Sequence, residues 1–127
     1  MTKLDVLSTE HSIVSNLMRN PNLLSKLKLK PEMFTDINAQ KFVQHVLDKG
    51  KVDVNEIYYK SREDVEFIPT QVLTKLFNSN GTDKTYFMQD QMNILNEYIL
   101  NQARSETNNF QSSPSKENFK YLIEQLK

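Results

Sequence analysis

Apolar residues recur every three or four positions along most of the chain, which is the spacing that places side chains on one face of an α-helix. No stretch shows the two-residue alternation of a half-buried strand. Only two glycines, Gly50 and Gly81, are available for tight turns, whereas a turn-rich β fold uses many. The pattern therefore predicts an all-α protein.

The first half of the chain divides into short helices punctuated by capping residues and prolines. Ser8 or Thr9 is predicted to cap a first helix that has Glu10 in its first turn and ends near Arg19. Asn20 and Pro21 then begin a short second helix. The residues predicted to face the core in these two helices are Ile13, Val14, Leu17, Met18, Leu23, Leu24 and Leu27.

The segment 26–30 alternates lysine and leucine, and the pattern favours lysines at a helix C-terminus over a basic patch. A turn at Pro31 follows, with Met33 and Phe34 predicted to fill the core. Asp36 then caps a helix that ends at Gly50, in the left-handed conformation that glycine favours. Its predicted apolar stripe consists of Ile37, Phe42, Val43, Val46 and Leu47.

Two further helices are predicted before Gly81, one capped by Asp53 and one beginning after Pro69. In the first, Ile57 and either Tyr58 or Tyr59 face inward. A solvated turn at residues 62–64 separates the two helices. The inward residues of the second helix are Val72, Leu73, Leu76 and Phe77.

A long helical pattern opens at Asp83 and runs to about Asn108, with two apolar stripes instead of one. A second stripe indicates either a partner surface or deeper burial in the core, and the pattern alone leaves both open. Ser113 and Pro114 begin a last helix, predicted to fold back on the long one as a hairpin. The first stripe is Met88, Met92, Leu95, Ile99 and Ala103, and the second is Phe87, Ile94 and Tyr98.

Composition narrows the class of protein. The 127 residues suit a single domain, and 16 basic against 16 acidic residues disfavour tight autonomous binding to nucleic acid, which requires a basic surplus. Cysteine is absent, and no apolar run approaches the length of a membrane span or a signal peptide. We therefore expect a cytoplasmic protein that does not contact membranes.

Candidate chemistry is sparse. The two glycines lie too far apart for a phosphate-binding loop, and His11 and His45 lack the spacing of a zinc site, so both are expected at the surface or its boundary. No carboxylate pair lies in an apolar setting that would separate the two pKa values. We predict no catalytic residue, no cofactor and no metal, and expect that the chain is not an enzyme by itself.

Several motifs, in order, resemble the N-terminal domain of DnaB-type replicative DNA helicases. Residues 10–21 are similar to that family's opening helix, which closes on Asp/Asn-Pro, and residues 29–34 to its L-x-P-E-x-F turn. Residues 49–54 resemble the loop that enters the following helix in that family. Tyr86 and Phe87 resemble the aromatic pair that opens the family's hairpin, and the likeness extends from about Ser8 to Leu126. Abundant lysine and asparagine fit a divergent, phage-encoded relative.

The resemblance implies a compact helical head, residues 1–82, and a C-terminal helical hairpin, residues 83–127, within one domain. In the family, hairpins pair into a collar on the helicase hexamer, where primase also docks. This implies a homo-oligomer, a dimer or hexamer collar, that binds primase or other replication proteins. The expected self-association surface is Phe87, Ile94 and Tyr98, and the expected hairpin packing residues are Met92, Leu95, Ile99, Phe119, Leu122 and Ile123.

The leading interpretation is a non-catalytic assembly and primase-interaction domain of a replicative DNA helicase, whose ATPase domain would follow Lys127. The main alternatives are a free-standing helicase-binding protein, either a loader or an inhibitor that mimics the collar, and the helicase-binding C-terminal domain of a primase. A small DNA-binding transcription factor is disfavoured because no predicted helix carries a dense basic face.

Overall fold

The computed structural model describes residues 2–79 and 83–109, with side chains to residue 105, and this part of the chain is all-α. The predicted arm at residues 113–127 lies outside it. Short 3-10 turns connect the helices at Pro21–Lys26, Pro31–Met33 and Lys84–Tyr86. The five helices within the described ranges are α1 (Lys3–Arg19), α2 (Ile37–Lys49), α3 (Val54–Glu63), α4 (Thr70–Phe77) and α5 (Phe87–Asn109).

α1 is the central helix and packs against α2, α4 and α5. Residues 12–18 are all buried, because neighbouring elements cover the helix on nearly every side. Ser12, Ser15 and Asn16 allow this close approach, since small polar side chains occupy the positions between the apolar ones. A helix covered on all sides carries the core of a small domain.

α1 begins earlier than its apolar spacing predicts. Thr2 caps it, with its Oγ1 3.1 Å from the Asp5 backbone nitrogen, and the Asp5 carboxylate accepts the Thr2 N–H at 3.2 Å. This reciprocal capping box satisfies two backbone donors of the first turn. The prediction of a cap at Ser8 or Thr9 is therefore wrong, and Glu10 lies in the helix interior. The predicted end at Arg19 is confirmed.

The predicted limits of α2 are confirmed. The Asp36 carboxylate accepts the Ala39 N–H at 3.1 Å, and Gly50 ends the helix with φ of 71°. The predicted stripe was too wide, because Ile37 and Leu47 are exposed. The buried face is narrower and consists of Ala39, Phe42, Val43, Val46 and His45.

α3 and α4 pack against each other, and each begins at its predicted capping residue or proline. Asp53 accepts the Glu56 N–H at 3.2 Å, and α4 begins directly after Pro69. Tyr58 is the inward tyrosine, and its hydroxyl lies 3.2 Å from the Thr74 hydroxyl. α3 continues to Glu63, so the predicted turn at residues 62–64 begins later than expected.

Arg19 ties the end of α1 to the end of α4. Its Nε and Nη2 donate to the Phe77 carbonyl at 2.9 and 2.7 Å, and its guanidinium lies 5.8 Å from the centroid of the Phe77 ring. A helix C-terminus leaves carbonyls without intrahelical partners, and a guanidinium is a good donor for them. No helix in the described part of the chain is long and apolar enough to cross a membrane.

Candidate interaction surface on the long helix

α5 packs on the head through the stripe that was predicted to meet a partner. Phe87 and Ile94 are each 1% exposed and belong to the core, and Tyr98 is half-buried against it. The prediction that Phe87 and Ile94 form a self-association surface is therefore corrected. Both stripes of α5 are apolar, so the sequence did not distinguish the one that faces the head.

The other stripe of α5 is the more accessible one. Met88 and Met92 are 45% and 49% exposed, whereas Leu95 and Ile99 are half-buried. Met92, Leu95 and Ile99 were predicted to hold the hairpin closed against Phe119, Leu122 and Ile123, which lie outside the described residues. That packing stays a prediction.

Leu100 is a further exposed apolar residue of α5, with 44% of its surface accessible. It follows Tyr98 by two positions, which places it on nearly the opposite side of the helix from the face that packs on the head. At 1.5 Å per residue, α5 is about 35 Å long, roughly the diameter of a small domain. Leu100 is therefore accessible on the side of α5 that is turned away from the head.

Gln91 joins α5 to the segment between the first two 3-10 turns. Its Oε1 accepts the Lys28 N–H at 2.6 Å, and its Nε2 donates to the Lys26 carbonyl at 3.0 Å. The same nitrogen lies 3.3 Å from the Met88 sulfur. The residue is only 3% exposed, and no local pattern predicts its role, because the two backbone groups that it pairs with are more than 60 positions away.

The segment held by Gln91 is extended, and its burial alternates. Leu27 and Leu29 are buried, whereas Lys26, Lys28 and Lys30 are exposed. Lys28 and Lys30 therefore share the exposed side of the segment, and Lys26, at the end of the preceding turn, is exposed as well. We call these three residues the lysine row. Their predicted position at a helix C-terminus holds for Lys26 alone, the last residue of a 3-10 turn.

Glu10 is a buried carboxylate, although the sequence pattern predicts it in the first turn of a helix. It is fully buried, and its Oε1 accepts the backbone N–H groups of Thr35 and Asp36, both at 2.9 Å. Its Oε2 accepts the Thr35 hydroxyl at 2.5 Å. The carboxylate thereby fixes the turn that enters α2, and these bonds account for its burial.

The two histidines occupy different environments. His11 is partly exposed, with its Nε2 3.4 Å from an Asp36 carboxylate oxygen. His45 is buried, contrary to the prediction, and its ring centroid lies 5.4 Å from that of Phe67. Burial, and after it the positive charge of Lys60, lower the pKa of His45. In the residues searched, no three His, Cys, Asp or Glu side chains are grouped so that they could hold a metal ion.

Comparisons of the chain with protein-family models, with curated proteins and with solved structures find no match. The accessible features described above are a half-exposed apolar stripe, an exposed leucine and a row of lysines. Such surfaces suit contacts with other proteins.

Proposed function

We propose that this chain is a non-catalytic assembly domain of a DnaB-type replicative DNA helicase, which self-associates and contacts primase or another replication protein during DNA replication. The observation that carries the proposal is α5. One face of this long helix packs on the head, and Met92 and Leu100 leave apolar surface accessible on other sides. A helix that only completed its own core would need one apolar face.

The motifs that suggested the family also have structural roles in the head. Within the turn at residues 29–34, Met33 and Phe34 are 4% and 2% exposed, so the turn anchors its loop in the core. The Asn20-Pro21 step separates α1 from the following 3-10 turn. These contacts support a helical head of the proposed kind, on which α5 is mounted.

Within this proposal the exposed sides of α5 have separate tasks. Met92, Leu95 and Ile99 pack against Phe119, Leu122 and Ile123 to close the hairpin. Leu100, on the side turned away from the head, takes the place of Phe87 and Ile94 in self-association. Removing an exposed leucine from water contributes apolar buried area to such an interface.

Sedimentation equilibrium of the intact chain over a wide concentration range tests the proposal. We expect a dimer or hexamer, and expect Leu100→Glu to weaken association at least about tenfold, since it would bury a charge in the contact. Leu4→Glu is the matched control: Leu4 is 78% exposed near the start of α1 and should leave association unchanged.

Two outcomes would overturn the proposal. A chain that stays monomeric at the highest concentration reached would have no self-associating surface. A monomer that instead binds a preformed DnaB-type helicase hexamer would be a helicase-binding protein, either a mimic of the collar or a primase-type domain.

A further inference from the structure

The lysine row is a dense cluster of exposed positive charge on the head. Residues two apart in an extended segment lie about 6.6 Å apart on the same side, which describes Lys28 and Lys30, and Lys26 ends the 3-10 turn directly before this segment. The backbone angles support this geometry: Leu27 and Lys30 are both extended. The buried Leu27 and Leu29 fix which side of the segment the lysines occupy.

Three other lysines of the head have polar partners, whereas the described part of the chain provides none for the side chains of the row. Lys49 and Lys51 both pair with Glu56, at 3.4 and 3.7 Å, and Lys41 donates to the Glu66 carbonyl at 2.6 Å. Within residues 2–79 and 83–105, no carboxylate lies at ion-pair distance from the row. Three like charges side by side repel one another, and an anionic partner would relieve that repulsion.

The row is also held rigidly. The Gln91 amide fixes the backbone at Lys26 and Lys28, and Met88, 45% exposed, lies against the same amide. Backbone that is already ordered loses little conformational entropy when a partner binds. Met88 contributes a half-exposed, polarizable thioether next to the Gln91 amide, which suits an apolar side chain of a partner.

We propose that the lysine row, with Met88 at its edge, is a docking surface for an acidic segment of another protein. Carboxylates on alternate residues of an extended segment have the same spacing as Lys28 and Lys30, and a third carboxylate can reach the long side chain of Lys26. A protein partner is favoured over nucleic acid because the chain as a whole has no basic surplus and because Met88 offers apolar contact at the edge of the row. This docking surface is separate from Leu100 and does not depend on self-association.

The experiment uses the intact chain and a fluorescein-labelled peptide with Glu at every second position and Leu or Ser between, followed by fluorescence anisotropy. A peptide with Gln in place of Glu is the first control. We expect the Gln peptide to bind at least about tenfold more weakly, since three exposed ion pairs each contribute a small factor. Added salt should weaken binding of the Glu peptide alone.

Variants of the chain locate the contact. Lys26→Glu/Lys28→Glu/Lys30→Glu should abolish binding of the Glu peptide, and the neutral set Lys26→Gln/Lys28→Gln/Lys30→Gln should weaken it at least about tenfold. The matched control makes the same change in charge elsewhere: Lys3→Glu/Arg62→Glu/Lys75→Glu alters three exposed residues. This control should keep the wild-type affinity within about twofold, because its three residues lie on α1, α3 and α4 and not in the segment that carries the row.

Four results would overturn the proposal. The control variant could weaken binding as much as the row variants, which would indicate only a general charge effect. The Gln peptide could bind as well as the Glu peptide, which would indicate apolar contact alone. Oligothymidylate of the same length could bind the row more tightly than the peptide, which would indicate a nucleic-acid surface. The folded chain could bind none of the probes.

Discussion

The side chain of Gln91 pairs with the backbone of Lys28 as a neighbouring strand would. Gln91 Oε1 accepts the Lys28 N–H at 2.6 Å, while its Nε2 donates to the Lys26 carbonyl at 3.0 Å. A primary amide has the donor and acceptor of a peptide group, so it satisfies both backbone groups of an extended segment that has no strand beside it. One side chain thereby attaches the lysine row to α5.

Replacing Gln91 with Leu should destabilise the head. The change leaves the Lys28 N–H and the Lys26 carbonyl without their partner in a part-buried setting, which costs about 1–3 kcal/mol for a buried group left unsatisfied. Urea denaturation followed by circular dichroism measures the loss. Gln89→Leu is the control, since Gln89 is exposed and bonds only to Asn93 in the next turn, and it should change stability by less than about 0.5 kcal/mol.

The same substitution bears on the docking surface. If Gln91 holds the lysine row in place, Gln91→Leu should also weaken binding of the Glu peptide under conditions where the chain stays folded. A variant with lower stability and unchanged peptide affinity would show that the row needs no support from α5.

Substitutions at Glu10 should lower the stability of the head by different amounts, with Glu10→Gln costing less than Glu10→Ala. In Glu10→Gln, the amide oxygen can still accept the Thr35 and Asp36 N–H groups, and the amide nitrogen can donate to the Thr35 hydroxyl once that hydroxyl turns. The loss should be about 1 kcal/mol, because neutral hydrogen bonds are weaker than charged ones. Glu10→Ala leaves two N–H groups unpaired and opens a cavity, so it should cost about 2–4 kcal/mol.

Thr35→Val distinguishes the contribution of the Thr35 hydroxyl to stability from that of the two backbone N–H groups that Glu10 accepts. It removes one hydrogen bond from Glu10 Oε2 and keeps both N–H donors, so we expect a loss of about 1 kcal/mol in urea denaturation. Equal losses for Glu10→Gln and Glu10→Ala would contradict the assignment of the carboxylate as the acceptor of the turn that enters α2.

Features with local causes were predictable from the sequence. Asp36, Asp53 and Gly50 act within three or four residues of their own positions, and the structure confirms each as a helix cap. The capping box at Thr2 is equally local, but the apolar spacing before Ser8 is too weak to predict that a helix begins there.

The roles of Glu10 and Gln91 were not predictable in this way. Glu10 bonds to Thr35, 25 positions away, and Gln91 bonds to Lys28, 63 positions away, so only the tertiary fold brings these partners together. The burial of Phe87 and Ile94, which were expected at a partner surface, has a similar origin. Both stripes have helical spacing, and which of them is buried depends on the shape of the head.

Gly50 offers a test of backbone conformation alone. Its φ of 71° lies in the left-handed region, and a Cβ added there would meet no atom within 4 Å. Gly50→Ala should therefore cost only the conformational strain, about 1 kcal/mol, and Gly50→Asn less, since Asn tolerates this region better. Thermal and urea denaturation measure both variants. An Ala variant as stable as the wild type would contradict a left-handed end to α2.

His45 should make the stability of the head depend on pH. Burial, and then the charge of Lys60, hold its pKa below the ordinary value of 6.5, and Glu56 opposes them with a smaller effect. The unfolded chain therefore takes up a proton at a higher pH than the folded chain. The contribution of neutral His45 to the free energy of unfolding is fully present above about pH 6.5. It decreases as the pH is lowered from there toward the depressed pKa of the folded state.

Urea denaturation at a series of pH values between about 7.5 and 5 measures this dependence, and His45→Gln should flatten it even if the lost contact with Phe67 lowers stability throughout. Lys60→Ala should reduce the slope, because it removes the second cause of the lowered pKa. His11→Gln is the control and should leave the contribution of His45 in place. If His45→Gln keeps the wild-type slope, the pH dependence comes from other groups. The burial of neutral His45 against Phe67 would then not affect how the free energy of unfolding changes between about pH 7.5 and 5.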